Sequence, residues 1–182
     1  MIRQLVFLLE EDSMKSFLES FMPRIVGEAV SCVYISHQGK TDLEKSIPRK
    51  IRAWQNPSAY FIILRDQDSS NCIKLKQHLQ TLCGITDNVS VRIVCRELES
   101  WYLGDLAAID HVFEKKLAKR QNQSKYRDPD KLINAYDEIK KVVPEYQRII
   151  GSRKLGEVLS LENNRSKSFN VFLKTIRQLT SN

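Results

Sequence analysis

The chain has 182 residues, of which 42% are hydrophobic and 28% are charged. This length suits one domain, and this composition is typical of a globular protein rather than a disordered one. The first apolar run, residues 5–9, is too short to span a membrane and lacks the cleavage region of a signal peptide. We therefore expect no association with a membrane.

Positive charge is concentrated in the C-terminal part of the chain. The formal net charge is +7, from 29 Lys and Arg against 22 Asp and Glu. Residues 1–111 hold 13 basic and 14 acidic side chains, whereas residues 112–182 hold 16 basic and 8 acidic ones. Such a basic region is typical of a surface that binds the phosphates of nucleic acid, although a merely solvated face gives the same count.

The spacing of the cysteines argues against a metal site or a disulfide framework. No pair of the four forms a Cys-x-x-Cys motif, and no histidine follows at the spacing of a zinc finger. Each cysteine lies in an apolar stretch or on an apolar helical face. We expect free, buried thiols and a reducing, cytoplasmic environment.

Strands and helices alternate in the first half of the sequence. Short apolar runs predict strands at 2–9, 30–36, 59–64 and 89–95, and apolar residues three and four apart predict the helices between them. The expected N-caps of these helices are Ser13, Thr41 in a capping box with Glu44, and Ser69 or Ser70, while Gly84 should end the third helix. The pattern indicates an α/β fold with a mostly parallel four-stranded sheet flanked by helices.

Only helices are predicted after residue 96, at 99–118, 129–141, 152–160 and 167–180. We therefore divide the chain into an α/β module, residues 1–104, and a basic helical extension, residues 105–182, packed on the same domain.

Acidic residues follow three of the four predicted strands. They are Glu10 and Glu11 after the first strand, Asp66 and Asp68 after the third, and Glu97 and Glu99 after the fourth. In an open parallel sheet these ends meet at one edge, and a hard divalent cation such as Mg²⁺ offsets the repulsion between gathered carboxylates. Asp66 and Asp68 should point to the same side of an extended segment and hold one ion jointly. Taken singly, an acidic residue after a strand is more often a helix cap.

Four stretches carry a resemblance to a known family. They are Leu8-Leu9-Glu10 with Ser13, Asp66-Gln67-Asp68, residues 96–105 with the sequence RELESWYLGD, and residues 164–169 with the sequence NRSKSF. The chain resembles the Toprim-like family known as domain of unknown function 4276. More broadly, it resembles the Toprim fold of topoisomerases, primases and overcoming-lysogenization-defect (OLD) nucleases.

The resemblance implies a nuclease that depends on Mg²⁺ or Mn²⁺. Glu10 would match the Toprim glutamate, as a general acid/base or as a ligand, and Asp66 and Asp68 would match the metal-binding pair. Glu97 is a candidate further ligand, and the candidate accessory residues are Glu11, Glu99 and Asp105. Many Toprim nucleases have glycine where this chain has Glu11, which predicts a less permissive turn. The resemblance also implies a prokaryotic defence setting with an ATPase partner.

Several other functional possibilities stay open at this point. The candidate phosphate contacts in the basic region are Lys125, Arg127, Lys154 and Lys167, and His37 could reach the same sheet edge. A catalytically degenerate module that binds nucleic acid or a partner protein is the main alternative, since so short a chain would depend on an oligomer or a partner to complete a substrate channel. A phosphatase of the haloacid-dehalogenase type is the weakest alternative. Asp66-Gln67-Asp68 superficially resembles the nucleophile motif of such phosphatases, but that motif belongs on the first strand and here it follows the third.

Overall fold

The computed structural model describes residues 2–181. Four strands, β1 (Gln4–Leu9), β2 (Ser31–Ser36), β3 (Ala59–Asp66) and β4 (Val89–Val94), form one sheet in the order β2-β1-β3-β4. All three pairings are parallel, with Leu9 opposite Ser36 on one side and Leu64 on the other. The predicted parallel four-stranded sheet is confirmed.

Eight helices surround the sheet or extend from it within the described residues. They are α1 (Asp12–Phe21), α2 (Lys40–Ala53), α3 (Cys72–Cys83), α4 (Glu99–Leu103), α5 (Leu106–Phe113), α6 (Ala135–Val142), α7 (Arg148–Val158) and α8 (Lys167–Thr180). None of the helices in residues 2–181 has the length and apolar character needed to cross a membrane.

Each face of the sheet packs against its own set of helices. Alternate residues of β1 point to opposite faces, as a strand requires. Leu5, Phe7 and Leu9 join a large core with α1 and the C-terminal helices, whereas Val6 and Leu8 join a smaller core with α2 and α3. Both faces of the central strand are therefore buried, which explains why its sequence is a continuous apolar run.

The C-terminal helices share the large core with the first part of the chain. The Trp101 ring lies 5.3 Å from that of Phe169 and 5.7 Å from that of Phe17, measured between ring centroids. The core thus contains residues from both sides of the boundary predicted at 104/105. The division into two parts stays a prediction.

Three of the predicted helix caps are wrong. Helix α1 begins after Glu11, and the Ser13 hydroxyl donates a hydrogen bond to the Glu11 carboxylate. Helix α2 begins before Thr41, after Gly39, whose φ of 88° turns the chain in a way that favours glycine. Helix α3 is capped by Asn71, whose side chain accepts from the Lys74 N–H at 3.1 Å.

Other helix boundaries are set by tertiary contacts. Gly84 follows α3 with φ 75°, as predicted. The single helix predicted at 99–118 is two helices, because the Asp105 side chain accepts from the N–H of Ala108 (3.1 Å) and of Ser160 (2.8 Å) and starts α5. The helix predicted at 152–160 begins earlier, at Arg148.

The four cysteines are free and half-buried. Burial raises the pKa of the Cys83 and Cys95 thiols to about 11. Because the thiolate is the reactive form, we expect both thiols to react with iodoacetamide at pH 8 roughly 10²-fold more slowly in the native protein than in urea. Mass spectrometry of peptides after timed alkylation measures this, and equal rates in the two states would contradict it.

Candidate active site at the carboxyl edge of the sheet

The two central strands of the sheet end at a topological switch point. From β1 the chain passes to β2 on one side, and β3 then pairs with β1 on the other side. At such a point the connections diverge and leave a crevice beyond the carboxyl ends of the strands. Glu10 follows β1 and Asp66 ends β3 at this edge of the sheet, and the Asp66 N–H donates to the Glu10 carboxylate at 3.1 Å.

The Asp66 carboxylate is poorly satisfied. Its Oδ1 atom is sealed from solvent and has no hydrogen-bond partner among the described residues, although the residue as a whole is partly exposed. Burial raises the pKa of Asp66 well above its usual value, and repulsion from Glu10 and Glu99 raises it further. A buried carboxylate without a partner costs free energy, so this oxygen is a natural place for a cation.

Glu10 lies beside it in a similar environment. Burial raises the pKa of Glu10, while the Asp66 N–H and the charge of Arg65 partly oppose the rise. The Arg65 side chain is only 4% exposed, and its Nε lies 3.9 Å from Glu10 and 3.7 Å from Glu44. One buried guanidinium is therefore shared between two carboxylates, which leaves negative charge in excess.

Asp68 does not continue the extended segment. Its φ is 52°, in the left-handed region, and its side chain is exposed. The backbone here pairs with the end of β4, because the Asp68 N–H donates to the Arg96 carbonyl at 2.9 Å. The prediction that Asp66 and Asp68 point to one side assumed an extended segment, and that assumption is wrong at Asp68.

The acidic pair after β4 has two different environments. The Glu97 carboxylate accepts from the Tyr136 N–H at 2.9 Å, at the start of α6. Glu99 is only 1% exposed and accepts from the Tyr146 hydroxyl at 3.1 Å. Burial raises the pKa of Glu99 to about 7, against the opposing charge of Arg148.

Arg148 is a charged side chain at this edge that the sequence did not reveal. Its Nε lies 3.4 Å from Glu99, its Nη1 lies 3.4 Å from Glu11, and its guanidinium lies 4.3 Å from the centroid of the Tyr136 ring. Burial alone would lower the pKa of Arg148, but the nearby carboxylates raise it. The only sequence signal was the general positive charge of this region.

The edge as a whole carries more negative than positive charge. Six carboxylates are linked by mutual repulsion, namely Glu10, Glu11, Asp66, Asp68, Glu97 and Glu99. Two guanidiniums, from Arg65 and Arg148, lie against them. Carboxylate oxygens with an unsatisfied atom among them fit a hard divalent cation. Within residues 2–181, however, no three such side chains already stand in the positions that hold an ion, so coordination requires side chains to rotate.

The chain matches the family described as Domain of unknown function (DUF4276) over residues 9–177. It belongs to this family. No curated protein sequence matches the chain. The predicted membership of this family is thus confirmed, and it covers both the acidic edge and the C-terminal helices.

Two solved structures are similar to this DUF4276 chain. The C-terminal region of the Burkholderia pseudomallei OLD protein has 17% identity and a TM-score of 0.51, with 99% of each chain covered. The C-terminal region of the Xanthomonas campestris pv. campestris OLD protein has 16% identity and a TM-score of 0.52, covering 99% of this chain and 94% of that one. These likenesses confirm the predicted Toprim-like fold.

The remaining candidate residues make other contacts or are exposed on the surface. Asp105 caps α5, and Lys125 pairs with Glu138 at 2.7 Å. Arg127, Lys154 and Lys167 are exposed. His37 is buried and its Nδ1 lies 2.8 Å from the Leu9 carbonyl, so it does reach the end of β1.

The departure from the family pattern at Glu11 carries no backbone cost. Its φ of −149° and ψ of 167° lie in the extended region, which any residue adopts. The predicted less permissive turn is therefore wrong, and the effect of Glu11 is its charge.

Proposed function

We propose that this chain is a divalent-metal-dependent nuclease whose active site is the carboxyl edge between β1 and β3. The observation that carries the proposal is the buried, unpartnered Oδ1 of Asp66 beside Glu10, on a fold that resembles the C-terminal region of OLD proteins. Burial of a charged oxygen without a partner is tolerated where function requires it.

Asp66 and Asp68 would hold the ion, with Glu10 and Glu97 as further ligands. Bound Mg²⁺ or Mn²⁺ would supply charge stabilisation of the phosphoryl oxygens and a more acidic water. Glu10 would act as general acid or base, and burial raises its pKa above the usual value, in the direction that favours this role.

Basic side chains would bind the nucleic-acid backbone. Arg148 is 41% exposed and lies against the acidic edge, so it can contact a phosphate there. Arg127, Lys154 and Lys167 are exposed and free to make further contacts, whereas Lys125 would first have to leave Glu138. Such contacts hold the backbone without reading its sequence.

The similar structures suggest a biological setting. Both are described as C-terminal regions of OLD proteins, so the fold works there beside other parts of a larger protein. We extend the proposal to a prokaryotic defence system in the cytoplasm, in which an ATPase partner or a second copy of the chain completes the substrate channel.

One observation favours the alternative of a non-catalytic module. Arg148 is bonded to both Glu11 and Glu99, and so neutralises part of the charge that a metal ion would otherwise neutralise. A module of this kind would bind nucleic acid or a partner protein through the basic helices and would not need the ion.

Calorimetric titration of the full chain with Mg²⁺ or Mn²⁺ distinguishes the metal-dependent nuclease from the non-catalytic module. We expect binding that disappears in the Asp66→Ala/Asp68→Ala double variant, together with a loss of at least about 10²-fold in oligonucleotide cleavage. The control is Asp87→Ala/Asp137→Ala, which removes two exposed carboxylates. The titration is repeated with a short oligonucleotide that can complete the ion's coordination. Absence of binding under both conditions would overturn the catalytic proposal and favour the binding module.

A further inference from the structure

The outer edge of β4 is open. Within residues 2–181, this strand pairs only with β3. The carbonyl of Asn88 accepts from Phe61 and that of Val94 accepts from Gln67, both at 2.8 Å, so the even-numbered residues face β3. The N–H and C=O of one residue point to the same edge of a strand, and successive residues point to opposite edges. The backbone N–H and C=O groups of Val91 and Ile93 therefore face outward.

Only some of the backbone groups on this outer edge form hydrogen bonds within the protein. The Arg92 guanidinium donates to the Val91 carbonyl at 2.8 Å, and the Cys95 N–H donates to the Ser168 hydroxyl at 3.2 Å. No residue of the described chain bonds to the Val91 N–H or to the N–H and C=O of Ile93. Unpaired groups of this kind form hydrogen bonds with an added strand.

A groove of about 380 Å³ runs along this edge between α3 and α8. Its apolar lining comes mainly from Val171, which is 54% exposed, with small exposed parts of the buried residues Val91 (3%) and Ile93 (9%). The groove therefore offers backbone hydrogen bonds along its floor and apolar contacts beside them. This combination suits an extended peptide, whose alternate side chains would enter the groove.

The charges around the groove favour an acidic ligand. Its four basic residues are Lys76, Arg92, Lys131 and Lys167, against two acidic ones, Asp128 and Asp130. Asp128 is paired with Lys131 at 2.9 Å. Asp130 already accepts from the Ser166 hydroxyl at 2.6 Å and the Ser168 N–H at 2.8 Å. Four basic against two acidic residues leave the rim with a net charge of +2.

Two other occupants fit less well. A second copy of the chain paired through β4 would bring two identical positive rims together, which is unfavourable. A nucleic acid would match the positive rim, but it would place phosphates near the outward carbonyl of Ile93 and against an apolar lining. A phosphate could accept a hydrogen bond from the Ile93 N–H but could not donate one to the Ile93 carbonyl, which would stay unpaired.

We propose that this groove binds an extended, acidic segment of a partner protein, which adds to β4 as a fifth strand of the sheet. The segment alternates apolar residues, which contact Val91, Ile93 and Val171, with Asp or Glu, which contact the basic rim. The inference uses none of the residues of the proposed active site except the outer rim residue Lys167, and it stands whether or not the chain cleaves nucleic acid.

A selection from a library of random peptides about nine residues long tests the proposal, since strands are commonly of this length or shorter. The full wild-type chain is the target, and the Lys76→Glu/Val171→Asp variant removes peptides that bind elsewhere. We expect the recovered peptides to be rich in Asp and Glu, alternately apolar and poor in proline. Recovery of basic, proline-rich or unpatterned peptides, or of none, would overturn the proposal.

Binding of the most enriched peptide is then measured by fluorescence anisotropy. We expect Lys76→Glu/Val171→Asp to weaken it at least about 10-fold. The matched control Lys74→Glu/Ile85→Asp makes the same changes in charge at exposed positions outside the groove and should retain the affinity. Displacement of the peptide by a second copy of the chain, or stronger binding of an oligonucleotide than of the peptide to the same groove, would overturn the proposal.

Amide hydrogen exchange reports strand addition directly. With saturating peptide, exchange of the Val91 and Ile93 amides should slow by at least about 10-fold, because these N–H groups would then be hydrogen-bonded. The outward amides of β2, those of Cys32 and Tyr34, lie on the opposite edge and serve as the internal control. Unchanged exchange at Val91 and Ile93 would show that the peptide does not add as a strand.

Discussion

Replacing Gly156 with alanine should lower the free energy of unfolding by about 3 kcal/mol, as overpacking of a tight core contact does. Gly156 lies on α7 where it crosses α1, and a Cβ atom there would stand 2.2 Å from the Ser20 hydroxyl and 2.6 Å from the Phe17 carbonyl oxygen. The hydroxyl can rotate, but the carbonyl belongs to the helix backbone. The two helices would therefore have to move apart.

Thermal unfolding followed by circular dichroism measures the effect, and for a chain of this length the midpoint should fall by roughly 6–12 °C. Gly27→Ala is the matched control, because Gly27 is exposed and a Cβ atom there would meet no other atom within 4 Å. We expect that control to change the unfolding free energy by less than about 0.5 kcal/mol. Equal midpoints for Gly156→Ala and the control would contradict the close contact between α1 and α7.

The same contact positions part of the candidate site. Arg148 begins α7, and it reaches Glu11, which immediately precedes α1. The Ser20 hydroxyl of α1 donates to the Arg153 carbonyl at 2.7 Å, and Arg24, in the turn that follows α1, donates to the Gly156 carbonyl at 2.8 Å, so polar contacts also join this part of the chain to α7. The close approach at Gly156 therefore sets how Arg148 lies against the acidic edge.

The strands were the most predictable part of the fold. A parallel strand buried on both faces must be apolar at nearly every position, so β1 and β3 stand out as short apolar runs. The parallel pairing follows from the helices that separate every strand from the next, because such a connection returns the chain in the same direction. These features are local in the sequence, and the prediction needed no long-range information.

The helix starts were less predictable, because they depend on how the chain leaves the sheet. Ser13 and Thr41 are good capping residues, yet Glu11 and Gly39 precede the helices instead. Gly39 is required for its positive φ, and its N–H donates to the Glu10 carbonyl at 3.0 Å, which fixes the path of the turn. A cap preference of about 1 kcal/mol is overridden by such contacts.

The candidate site could be predicted in part. Its carboxylates follow strands and meet at one edge by topology, so the sequence could place Glu10 beside Asp66. Arg148 and Tyr146 come from a distant part of the chain and occupy no recognisable motif. Nothing short of the tertiary packing brings them to Glu99. Their roles therefore could not be inferred from spacing.

Replacing Asp66 with asparagine should stabilise the metal-free protein by about 1–2 kcal/mol, because it removes a buried charge that lacks a partner. The raised pKa of Asp66 determines how this gain depends on pH. A group whose pKa is higher in the folded than in the unfolded protein stabilises the native state at pH values below its unfolded pKa. That stabilisation is lost as the pH rises through the folded pKa. We therefore expect the gain at pH 8 in EDTA and little difference between the two proteins near pH 4.

The same substitution should remove the stabilisation that a bound ion provides. Adding Mg²⁺ or Mn²⁺ should raise the unfolding midpoint of the wild type and leave that of Asp66→Asn unchanged, since a ligand that binds only the native state stabilises it. Asp87→Asn, at an exposed position, is the control and should behave as wild type in both tests. An Asp66→Asn protein less stable than wild type in EDTA would show that this carboxylate supports the fold. Higher stability in EDTA together with loss of the metal effect would show that the fold retains an unfavourable charge at the place where the proposed ion binds.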